Sequence, residues 1–261
     1  MERISIQLQG GLGNYLFQIA AAYSYGLKHN KKTYFPENTV TVHKHINSYS
    51  NNILRNIIIS SENVTSSYYK EPNFNFNEIP FITGNLHLVG YFQSEKYFNE
   101  YKEEIKQLFS YPEDYILKIQ EKYSDLLKYE TCSIHVRRGD YLKSPNHHPT
   151  QDLNYYINAI KTLDKPNIKF LVFSDDIGWC KENFSKLDYE FVYVENNPDY
   201  EDLLLMSLCD NNIICNSTFS WWGAWLNKNN KKKVIAPIKW FGSEYNHYKT
   251  DDLYCEGWVK I

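Results

Sequence analysis

The sequence predicts an α/β fold in which helices cover parallel β-sheet, and two observations support this prediction. The second half of the chain alternates short apolar runs, typical of buried strands, with helical patterns. The strand-like runs are 131–136, 168–173, 190–194, 212–215 and 233–236, and the helical patterns lie near 151–163, 200–208 and 217–227. The chain also opens with a strand pattern, a glycine-rich turn and a helical pattern, which together form a β-turn-α unit.

The periodicity of the side chains defines this opening unit. Residues 3–9 alternate apolar and polar side chains, as a half-buried strand does. The turn at 10–14 follows, and residues 15–28 then place their apolar side chains near helical spacing. Those apolar side chains are Leu16, Ile19, Ala20, Tyr23 and Leu27.

The middle of the chain is less regular. Residues 36–80 are polar and rich in asparagine, so we expect loops, short strands and one short helix there. The later patterns are a strand at 86–92, an amphipathic helix at 97–109 and, after Pro112, a helix at 113–129. We place the domain boundary near residue 130, which gives an N-terminal domain of residues 1–130 and a C-terminal domain of residues 131–261.

Composition excludes several classes of protein. The 28 basic and 31 acidic residues give a net charge of −3, which argues against binding of nucleic acid or a membrane surface through bulk charge. No apolar stretch approaches the roughly 18 residues of a membrane helix, and the N-terminus does not read as a signal peptide. The five cysteines form no CxxC pair, so we expect buried free thiols in a reducing compartment. The prediction is a cytoplasmic protein.

Two adjacent arginines, Arg137 and Arg138, follow the apolar run 131–136. Ligands of open α/β sheets bind beyond the carboxyl ends of the strands, where paired guanidiniums can neutralise a phosphate. If the strand extends to Arg137, alternation puts His135 and Arg137 on one face and Arg138 on the other. We therefore predict that Arg137 contacts a ligand phosphate. Two roles are open for Arg138: it forms an ion pair with Asp140, or it stabilises the loop. The competing interpretation is that both arginines are structural and neither contacts a ligand.

A second anion-binding feature begins where the run 212–215 ends. Ser217 or Thr218 can cap a helix, and the N–H groups and partial positive charge of a helix start favour phosphate. Phe219 is placed to stack on a base, and the Ser220 hydroxyl to bond a phosphate oxygen. The competing interpretation is an ordinary capped helix with an apolar face. We assign its tryptophans to the core: Trp221, Trp222 and Trp225.

Three further signals are weaker. The run 168–173 is followed by three polar residues: Ser174, Asp175 and Asp176. A carboxylate at a strand end can accept hydrogen bonds from a ribose or a base, although surface carboxylates are also common there. The turn at 10–14 lacks both the G-x-G-x-x-G spacing and a P-loop lysine; it permits close approach of a ligand, but a tight turn is the plainer interpretation. His147 and His148 have no partner at metal-ligand spacing, so we expect a polar loop and no metal.

Taken in order, these motifs resemble those of the bacterial α1,2-fucosyltransferase family. The matching segments are residues 9–14 with Phe17 and Gln18, then 135–141, 173–176 and 215–226. Each motif alone is a weak signal, whereas the ordered set is specific and covers most of the chain. One departure lies on the acceptor side, since Tyr15 and Leu16 stand where the family commonly has Gln-Met. The acceptor identity is therefore open.

The resemblance implies a GT-B-like architecture of two Rossmann-like domains with a nucleotide-sugar site between them. It implies an N-terminal acceptor-side domain and a C-terminal domain that binds GDP-fucose. The implied reaction is an inverting, metal-independent transfer of L-fucose from GDP-β-L-fucose to the 2-hydroxyl of a galactose residue, with no cofactor. The expected partners are GDP-fucose and a galactose-containing oligosaccharide or glycan precursor, with peripheral attachment to the inner face of the membrane if that acceptor is lipid-linked. No nucleic acid is expected.

The resemblance also implies roles for individual residues. Arg137 would bind the β-phosphate, His135 would lie near the guanine, and Asn14 would lie near the acceptor. We predict as catalytic residues Arg137, Asp140 and Asn14. The predicted donor-binding residues are His135, Arg137, Arg138, Ser174, Asp175, Asp176, Asn216, Ser217, Thr218, Phe219 and Ser220. The predicted acceptor-side loop contains Gly11, Gly13 and Asn14.

The base of the reaction and the class of protein are open at this stage. Asp140 is the carboxylate nearest to the arginine pair and can take the acceptor proton, or it only orients Arg138. A highly dissociative reaction needs little base, with the proton passing late to a phosphate oxygen. The alternative functions are another GDP-sugar transferase, a nucleotide-sugar hydrolase on the same scaffold, or a non-catalytic glycan-binding module.

Overall fold

The structure is a computed structural model that describes residues 1–37, 44–61 and 65–261. Contacts divide the chain into two compact units. The first comprises Met1–Pro112 with Tyr248–Cys255, and the second comprises Glu113–His247 with Glu256–Ile261.

The first unit is built on a parallel sheet. Its strands and helices are β1 (Arg3–Ile6), α1 (Leu12–Lys28), β2 (Lys32–Thr33), β3 (Phe35–Pro36), β4 (Ile59–Ser60), β5 (Ser67–Lys70), β6 (Leu86–Val89) and α2 (Lys102–Leu108). In the described part of this unit, four strands pair in the order β2-β1-β6-β5, and β3 pairs with β4. Strand β1 is buried on both faces rather than one: Ser5 is buried with its hydroxyl 2.7 Å from His87 Nδ1. This is expected of a parallel strand covered on both sides.

Helix α1 begins at Leu12, three residues before the predicted start, so Gly13 and Asn14 lie in its first turn. The amide of Asn14 donates to the Gly11 carbonyl at 2.9 Å, which closes that turn. Gly10 has a left-handed backbone with φ of 84°, and a Cβ there would overlap the Asn14 amide. The backbone conformation therefore favours glycine at position 10, and any larger residue would also have to displace the Asn14 side chain.

In the described part of the first unit's irregular region, the helices and strands are short. The predicted helix at 97–109 is replaced by short 3-10 turns followed by α2. The 3-10 turns of this unit are Ile46–Tyr49, Glu95–Tyr97, Asn99–Tyr101 and Asp251–Leu253. In the region 36–80 we expected loops, short strands and one short helix, and two parts of it, residues 38–43 and 62–64, lie outside the described residues.

The second unit carries the larger sheet, and every one of its residues is described. Its elements are α3 (Glu113–Lys122), α4 (Ser124–Leu127), β7 (Thr131–Val136), α5 (Leu153–Leu163), β8 (Lys169–Ser174), α6 (Ile177–Phe184), β9 (Glu190–Tyr193), α7 (Asp199–Leu208), β10 (Asn211–Ile213), α8 (Thr218–Leu226), β11 (Val234–Ala236) and β12 (Val259–Lys260), with 3-10 turns at Tyr141–Lys143 and Ser243–Tyr245. Six strands pair in parallel in the order β12-β11-β10-β7-β8-β9. Strand β7 is central and fully buried, as its apolar run predicts.

Helices α3 and α4 group with the second unit, whereas the sequence places its boundary near residue 130. The Tyr115 hydroxyl of α3 donates to Glu201 Oε1 at 3.0 Å, and the Lys122 ammonium donates to Asn197 Oδ1 at 2.6 Å. These contacts join α3 to the start of α7. The helix pattern at 113–129 breaks at Tyr123, which separates α3 from α4.

Within the described ranges, no helix has the length and apolar character of a membrane span. All five cysteines lie in these ranges and none forms a disulfide; Cys132, Cys180, Cys209 and Cys215 are buried.

Candidate functional site

Three predicted segments meet at the carboxyl edge of the second unit's sheet. Strand β7 lies between β10 and β8, with Ile134 level with both Ile213 and Val172. The arginines follow β7, the Ser174–Asp176 segment follows β8, and the start of α8 follows β10. This is the edge at which open α/β sheets bind ligands.

Arg137 is held by two carboxylates that are partly exposed to solvent. Its Nη2 lies 2.8 Å from Asp140 Oδ1 and its Nη1 lies 3.2 Å from Asp175 Oδ2. Its guanidinium also lies 5.6 Å from the centre of the Tyr141 ring. Ion pairs between side chains that are this exposed to solvent contribute little to stability, about 0–1 kcal/mol each. Arg137 can therefore exchange a carboxylate for a phosphate at small cost.

Arg138 is held more firmly and by different partners. Its guanidinium stacks 4.3 Å from the centre of the Trp179 ring, and its Nε lies 3.0 Å from Asp176 Oδ2. Its side chain is 16% exposed, against 31% for Arg137. The suggested Arg138–Asp140 ion pair is not what the structure contains, because Asp140 pairs with Arg137. Arg138 anchors the loop to α6.

The carboxylates after β8 bind the arginine loop. Asp175 Oδ1 accepts the backbone N–H of Arg138 at 2.8 Å, and a Cβ on Gly139 would lie 2.6 Å from Asp175 Oδ2. Asp176 caps α6 through the Trp179 N–H at 3.2 Å, and the Ser174 hydroxyl accepts the Asp176 N–H at 2.9 Å. The hydrogen bonds of this segment therefore organise the loop, and its predicted contact with a donor stays a prediction.

His135 is a buried, neutral imidazole at the end of β7. Burial, with a further contribution from the positive charge of Arg137, lowers the pKa of His135 to about 3. Its Nδ1 lies 3.2 Å from Cys215 Sγ, and its ring centre lies 5.5 Å from that of Phe219. Burial raises the pKa of the Cys215 thiol to about 12, so the thiol is protonated and can donate to Nδ1. When the thiol donates, the neutral ring carries its proton on the other nitrogen, Nε2.

The start of α8 supplies the third part of the site. The Ser217 hydroxyl accepts the N–H of Phe219 at 3.3 Å, so of the two candidate caps, Ser217 and Thr218, it is Ser217 that caps α8. Thr218 and Phe219 are partly exposed, whereas the Ser220 hydroxyl is buried and donates to the Ser217 carbonyl at 3.3 Å. Ser220 therefore stabilises the cap. The tryptophans of α8 are in the core, as predicted: Trp221, Trp222 and Trp225.

Asn216 fastens the loops around this edge. Its Nδ2 donates to the carbonyls of Pro149 and Trp240, both at 2.9 Å, and its Oδ1 accepts from Gln151 Nε2 at 3.1 Å. Its carbonyl accepts the Tyr141 hydroxyl at 3.0 Å. These contacts position the loops, while the predicted donor contact of Asn216 remains a prediction.

The sequence analysis did not predict a role in the site for three side chains at this edge: Cys215, Trp179 and Gln151. Each acts through a residue distant in the chain, so local pattern carried no signal of its role. Cys215 lies 80 residues from His135, and Gln151 lies 65 residues from Asn216.

The predicted acceptor-side loop lies at the carboxyl edge of the first unit's sheet. Gly11 caps α1 with extended backbone, Gly13 is buried in the first helical turn, and Asn14 Oδ1 accepts from Gln93 Nε2 at 3.1 Å. The Gln18 side chain bonds Gln9 N at 3.1 Å and the Gly90 carbonyl at 3.3 Å. Gln18 thus ties the residues that follow β1 and β6 together.

Across residues 1–37, 44–61 and 65–261, no group of three or more His, Cys, Asp or Glu side chains is arranged to hold a metal ion. The His147 and His148 loop is held instead by local contacts. His147 Nε2 lies 2.5 Å from Glu244 Oε2, and His148 stacks against Tyr141 with ring centres 5.0 Å apart.

Comparisons with a family model and with individual proteins all match glycosyltransferases. The family model of glycosyl transferase family 11 matches residues 53–261. An α-1,2-colitosyltransferase of Escherichia coli is 32% identical over 100% of this chain and 99% of its own length. The O-antigen biosynthesis glycosyltransferase WbnK of Escherichia coli is 30% identical over 97% of this chain and 99% of its own. A galactoside 2-α-L-fucosyltransferase of Caenorhabditis elegans is 31% identical over 62% of this chain and 46% of its own.

Solved structures share the fold. The α-1,6-fucosyltransferase NodZ, co-crystallised with GDP, superposes with a TM-score of 0.60 over 85% of this chain and 92% of that chain, at 13% identity. A mutant of Arabidopsis thaliana FUT1 in complex with GDP superposes with a TM-score of 0.53 over 89% of this chain and 70% of that chain, at 13% identity. The predicted α/β, GT-B-like class of fold is confirmed.

Proposed function

The chain belongs to glycosyl transferase family 11, and from this premise we propose that it transfers L-fucose from GDP-β-L-fucose to the 2-hydroxyl of a galactose residue. The proposed reaction inverts the anomeric centre, forms an α1,2 linkage and uses no metal ion. The second unit is proposed to bind the donor, and the carboxyl edge of the first unit's sheet is proposed to be the acceptor side. The O-antigen name of one relative supports an oligosaccharide acceptor. A lipid-linked acceptor would bring the enzyme to the inner face of the membrane.

The proposal rests on one observation: Arg137 and the start of α8 lie at the same edge of the sheet. Arg137 has partly exposed ion pairs, so its planar donors can turn to a phosphate. The capped start of α8 adds the partial positive charge of a helix N-terminus. Phe219 lies at the same edge and is partly exposed, so its flat ring suits stacking on a nucleobase, and the buried His135 ring lies behind it with ring centres 5.5 Å apart. Phosphate and base recognition in one place supports a nucleoside diphosphate as the leaving group.

The chemistry follows from where charge develops. As the bond between the sugar and the diphosphate breaks, the sugar becomes oxocarbenium-like and negative charge grows on the β-phosphate. Once the donor is bound and Arg137 has turned to its phosphate, Arg137 and the start of α8 stabilise that charge with no further reorganisation as the bond breaks. Preorganised donors of this kind contribute about 3–4 kcal/mol each to lowering a barrier. Arg138 holds the loop, through Trp179 and Asp176, so that Arg137 is presented correctly.

We propose Asp140 as the group that accepts the acceptor's proton. Its carboxylate is 60% exposed and bonds the Arg137 guanidinium. A phosphate that binds Arg137 competes with Asp140 for the same donors and releases a carboxylate next to the departing diphosphate. An exposed carboxylate is a weak base, which suffices when the sugar is already strongly cationic in the transition state.

Product analysis tests the proposal directly. The enzyme is incubated with GDP-fucose and a panel of galactosides that includes lactose, and the product is analysed by NMR. An α1,2-linked fucosyl galactoside, formed at an undiminished rate in EDTA, is the expected result. Transfer from UDP-galactose instead of GDP-fucose, loss of activity in EDTA restored by Mn²⁺, or failure of GDP to raise the melting temperature would each overturn a stated part of it.

A second donor has a specific observation in its favour, since a relative over the full chain is named an α-1,2-colitosyltransferase. Colitose lacks the 3-hydroxyl of fucose, so the two donors differ by one hydrogen-bonding group. A site that hydrogen-bonds a substrate hydroxyl rejects the analogue lacking it by a factor on the order of 10⁴. The ratio of kcat/KM for GDP-fucose and GDP-colitose therefore assigns the donor.

A further inference from the structure

At the carboxyl edge of the first unit's sheet, one turn is folded around a carboxylate. Glu71 directly follows β5, and its Oε2 accepts the backbone N–H groups of Tyr91 at 2.7 Å and Phe92 at 3.1 Å. Its Oε1 also accepts the Phe92 N–H at 3.1 Å. The Tyr97 hydroxyl hydrogen-bonds the same carboxylate. Hydrogen bonds to a charged acceptor are the strong ones, so Glu71 fixes the turn that follows β6.

The turn takes a conformation that ordinary sequences avoid. Phe92 is fully buried and has φ of 52°, which is rare for a bulky side chain. Gly90 has φ of 156°, and a Cβ there would lie 2.5 Å from the Glu71 Cβ. Backbone strain of this kind persists only where the surroundings enforce it, and it clusters at functional sites. The enforcing group here is the Glu71 carboxylate.

The strained turn leads to the acceptor-side loop. Gln93 follows Phe92, is buried, and donates from Nε2 to Asn14 Oδ1 at 3.1 Å. The contacts therefore run from Glu71, through the backbone of the turn, to Gln93 and then to Asn14. A shift of the turn would change the orientation of the Asn14 amide.

We propose that Glu71 is a positioning residue for the acceptor: it clamps the turn at residues 90–93 and, through Gln93, orients Asn14. This inference rests on the proposed function, in which the Asn14 loop lies on the acceptor side. Two observations on this unit point to a ligand independently of it. The residues follow the carboxyl ends of β1, β5 and β6, where α/β sheets bind ligands, and the turn between them is strained.

The clamp also depends on pH. Burial raises the pKa of Glu71 to about 7, against the lowering effect of the N–H groups of Phe92 and Tyr91 and of the Tyr97 hydroxyl. The other titratable groups facing it do not change charge near neutral pH: burial raises the pKa of Tyr97 and of Tyr69, and Asp252, beside Tyr97, is ion-paired with Lys96, which lowers its pKa. A protonated Glu71 is a poorer acceptor, so the clamp loosens as the pH falls through about 7.

The test compares Glu71→Gln with a matched control, Glu2→Gln. Glu2 also holds a loop, accepting the Gly84 N–H at 2.7 Å, but it precedes β1 and so lies at the opposite edge of the same sheet. Steady-state transfer from GDP-fucose to lactose is measured from pH 6 to pH 8. We expect the KM for lactose to rise about tenfold in Glu71→Gln at pH 8, as the loss of hydrogen bonds to a charged group implies. The KM for GDP-fucose and the rate of GDP-fucose hydrolysis should stay unchanged in both variants.

The pH profile separates positioning from general stability. In the wild type and in Glu2→Gln the KM for lactose should rise as the pH falls from 8 to 6, and in Glu71→Gln it should be high and flat. Gln93→Ala should reproduce the tenfold rise, and combining it with Glu71→Gln should add little, because both act through Asn14. An unchanged lactose KM in a folded Glu71→Gln enzyme, or equal effects in Glu2→Gln, overturns the inference. Failure of GDP-fucose to react with any galactoside would instead count against the proposed function.

Discussion

The most exacting prediction concerns Arg137. Replacing it with alanine removes the guanidinium proposed to stabilise the departing diphosphate. Loss of one preorganised donor group costs about 3–4 kcal/mol in the transition state, which is a loss of roughly a hundredfold to a thousandfold in rate. The same change removes two partly exposed ion pairs, worth about 0–1 kcal/mol each, so the free energy of unfolding should change little.

Arg138→Ala is the matched control, because the two arginines are adjacent and carry the same charge. It removes a stacking contact with Trp179 and a less exposed ion pair with Asp176, together about 1–3 kcal/mol. For a chain of this length that is a fall in melting temperature of roughly 2–10 °C. Arg138→Ala should therefore lose stability first, and activity only as far as the loop loses its anchor.

The assay is kcat/KM for GDP-fucose at saturating lactose, with the melting temperature measured on the same samples. Arg137→Lys adds a second comparison, because lysine keeps the charge but loses the planar fork and should recover only part of the rate. A stable Arg137→Ala enzyme that keeps more than about a tenth of wild-type kcat/KM would refute the reasoning. So would an Arg138→Ala enzyme that is fully stable but inactive.

Three further predictions concern the same edge. His135 has a pKa of about 3 when folded and about 6.5 when unfolded, so its contribution to the free energy of unfolding falls as the pH drops below 6.5, by about 1.4 kcal/mol per unit. Glu71 and Asp202, whose pKa burial raises to about 7, titrate in the same range with the opposite effect, so urea titrations at pH 7 and pH 5 should show the His135 loss as a change in the difference between the wild type and His135→Gln. Gly139→Ala should weaken GDP binding, measured by titration calorimetry, about tenfold, because the new methyl group displaces Asp175 from the Arg138 amide. The control Gly178→Ala, in open space on α6, should leave GDP binding unchanged and leave the free energy of unfolding unchanged or raised. Asp140→Asn should bind GDP more tightly and transfer fucose more slowly, since it removes both a competitor for Arg137 and the proposed base; a change in affinity without a change in rate would exclude the base role.

The second half of the fold could be predicted closely from the sequence. Strands β7 to β11 are parallel and their bounds fall within two residues of the prediction. All of them except the partly exposed edge strand β9 are largely buried, so they appear as short continuous apolar runs. Two elements were missed. Helix α6 has only eight residues, too few for a clear period, and β12 has two exposed residues that carry no apolar signal.

The first half could be predicted only in outline. Strands β2, β3 and β4 have two residues each, and no periodicity can be read from two positions. Their strand conformation follows from pairing with distant segments, as when Lys32 pairs with Arg3. Helix α1 starts earlier than predicted because backbone geometry at Gly10 and Gly11, rather than apolar spacing, sets its first turn.

The candidate site was predictable in part for a topological reason. Residues that follow adjacent parallel strands must meet at one edge, so reading the ends of β7, β8 and β10 was enough to bring Arg137, Asp175 and Ser217 to the same edge. Which side chain binds which was not predictable, because that depends on rotamers and on distant partners. Glu71 shows the limit: it acts on Tyr91 and Phe92, 20 and 21 residues further along the chain, and only the folded turn reveals it.

The charge balance of the edge then explains how it can accept an anion at all. Three carboxylates, those of Asp140, Asp175 and Asp176, face two guanidiniums, so both guanidiniums are already paired and an arriving phosphate has to displace a carboxylate. The three are not equivalent, because Asp176 also caps α6 and Asp175 also accepts the Arg138 amide, whereas Asp140 is 60% exposed and pairs with Arg137 alone among these contacts. Moving Asp140 into water costs the least, since water replaces most of what it loses. A phosphate should therefore displace Asp140 first, and under the proposed function binding of the donor frees the carboxylate that is proposed to accept the acceptor's proton.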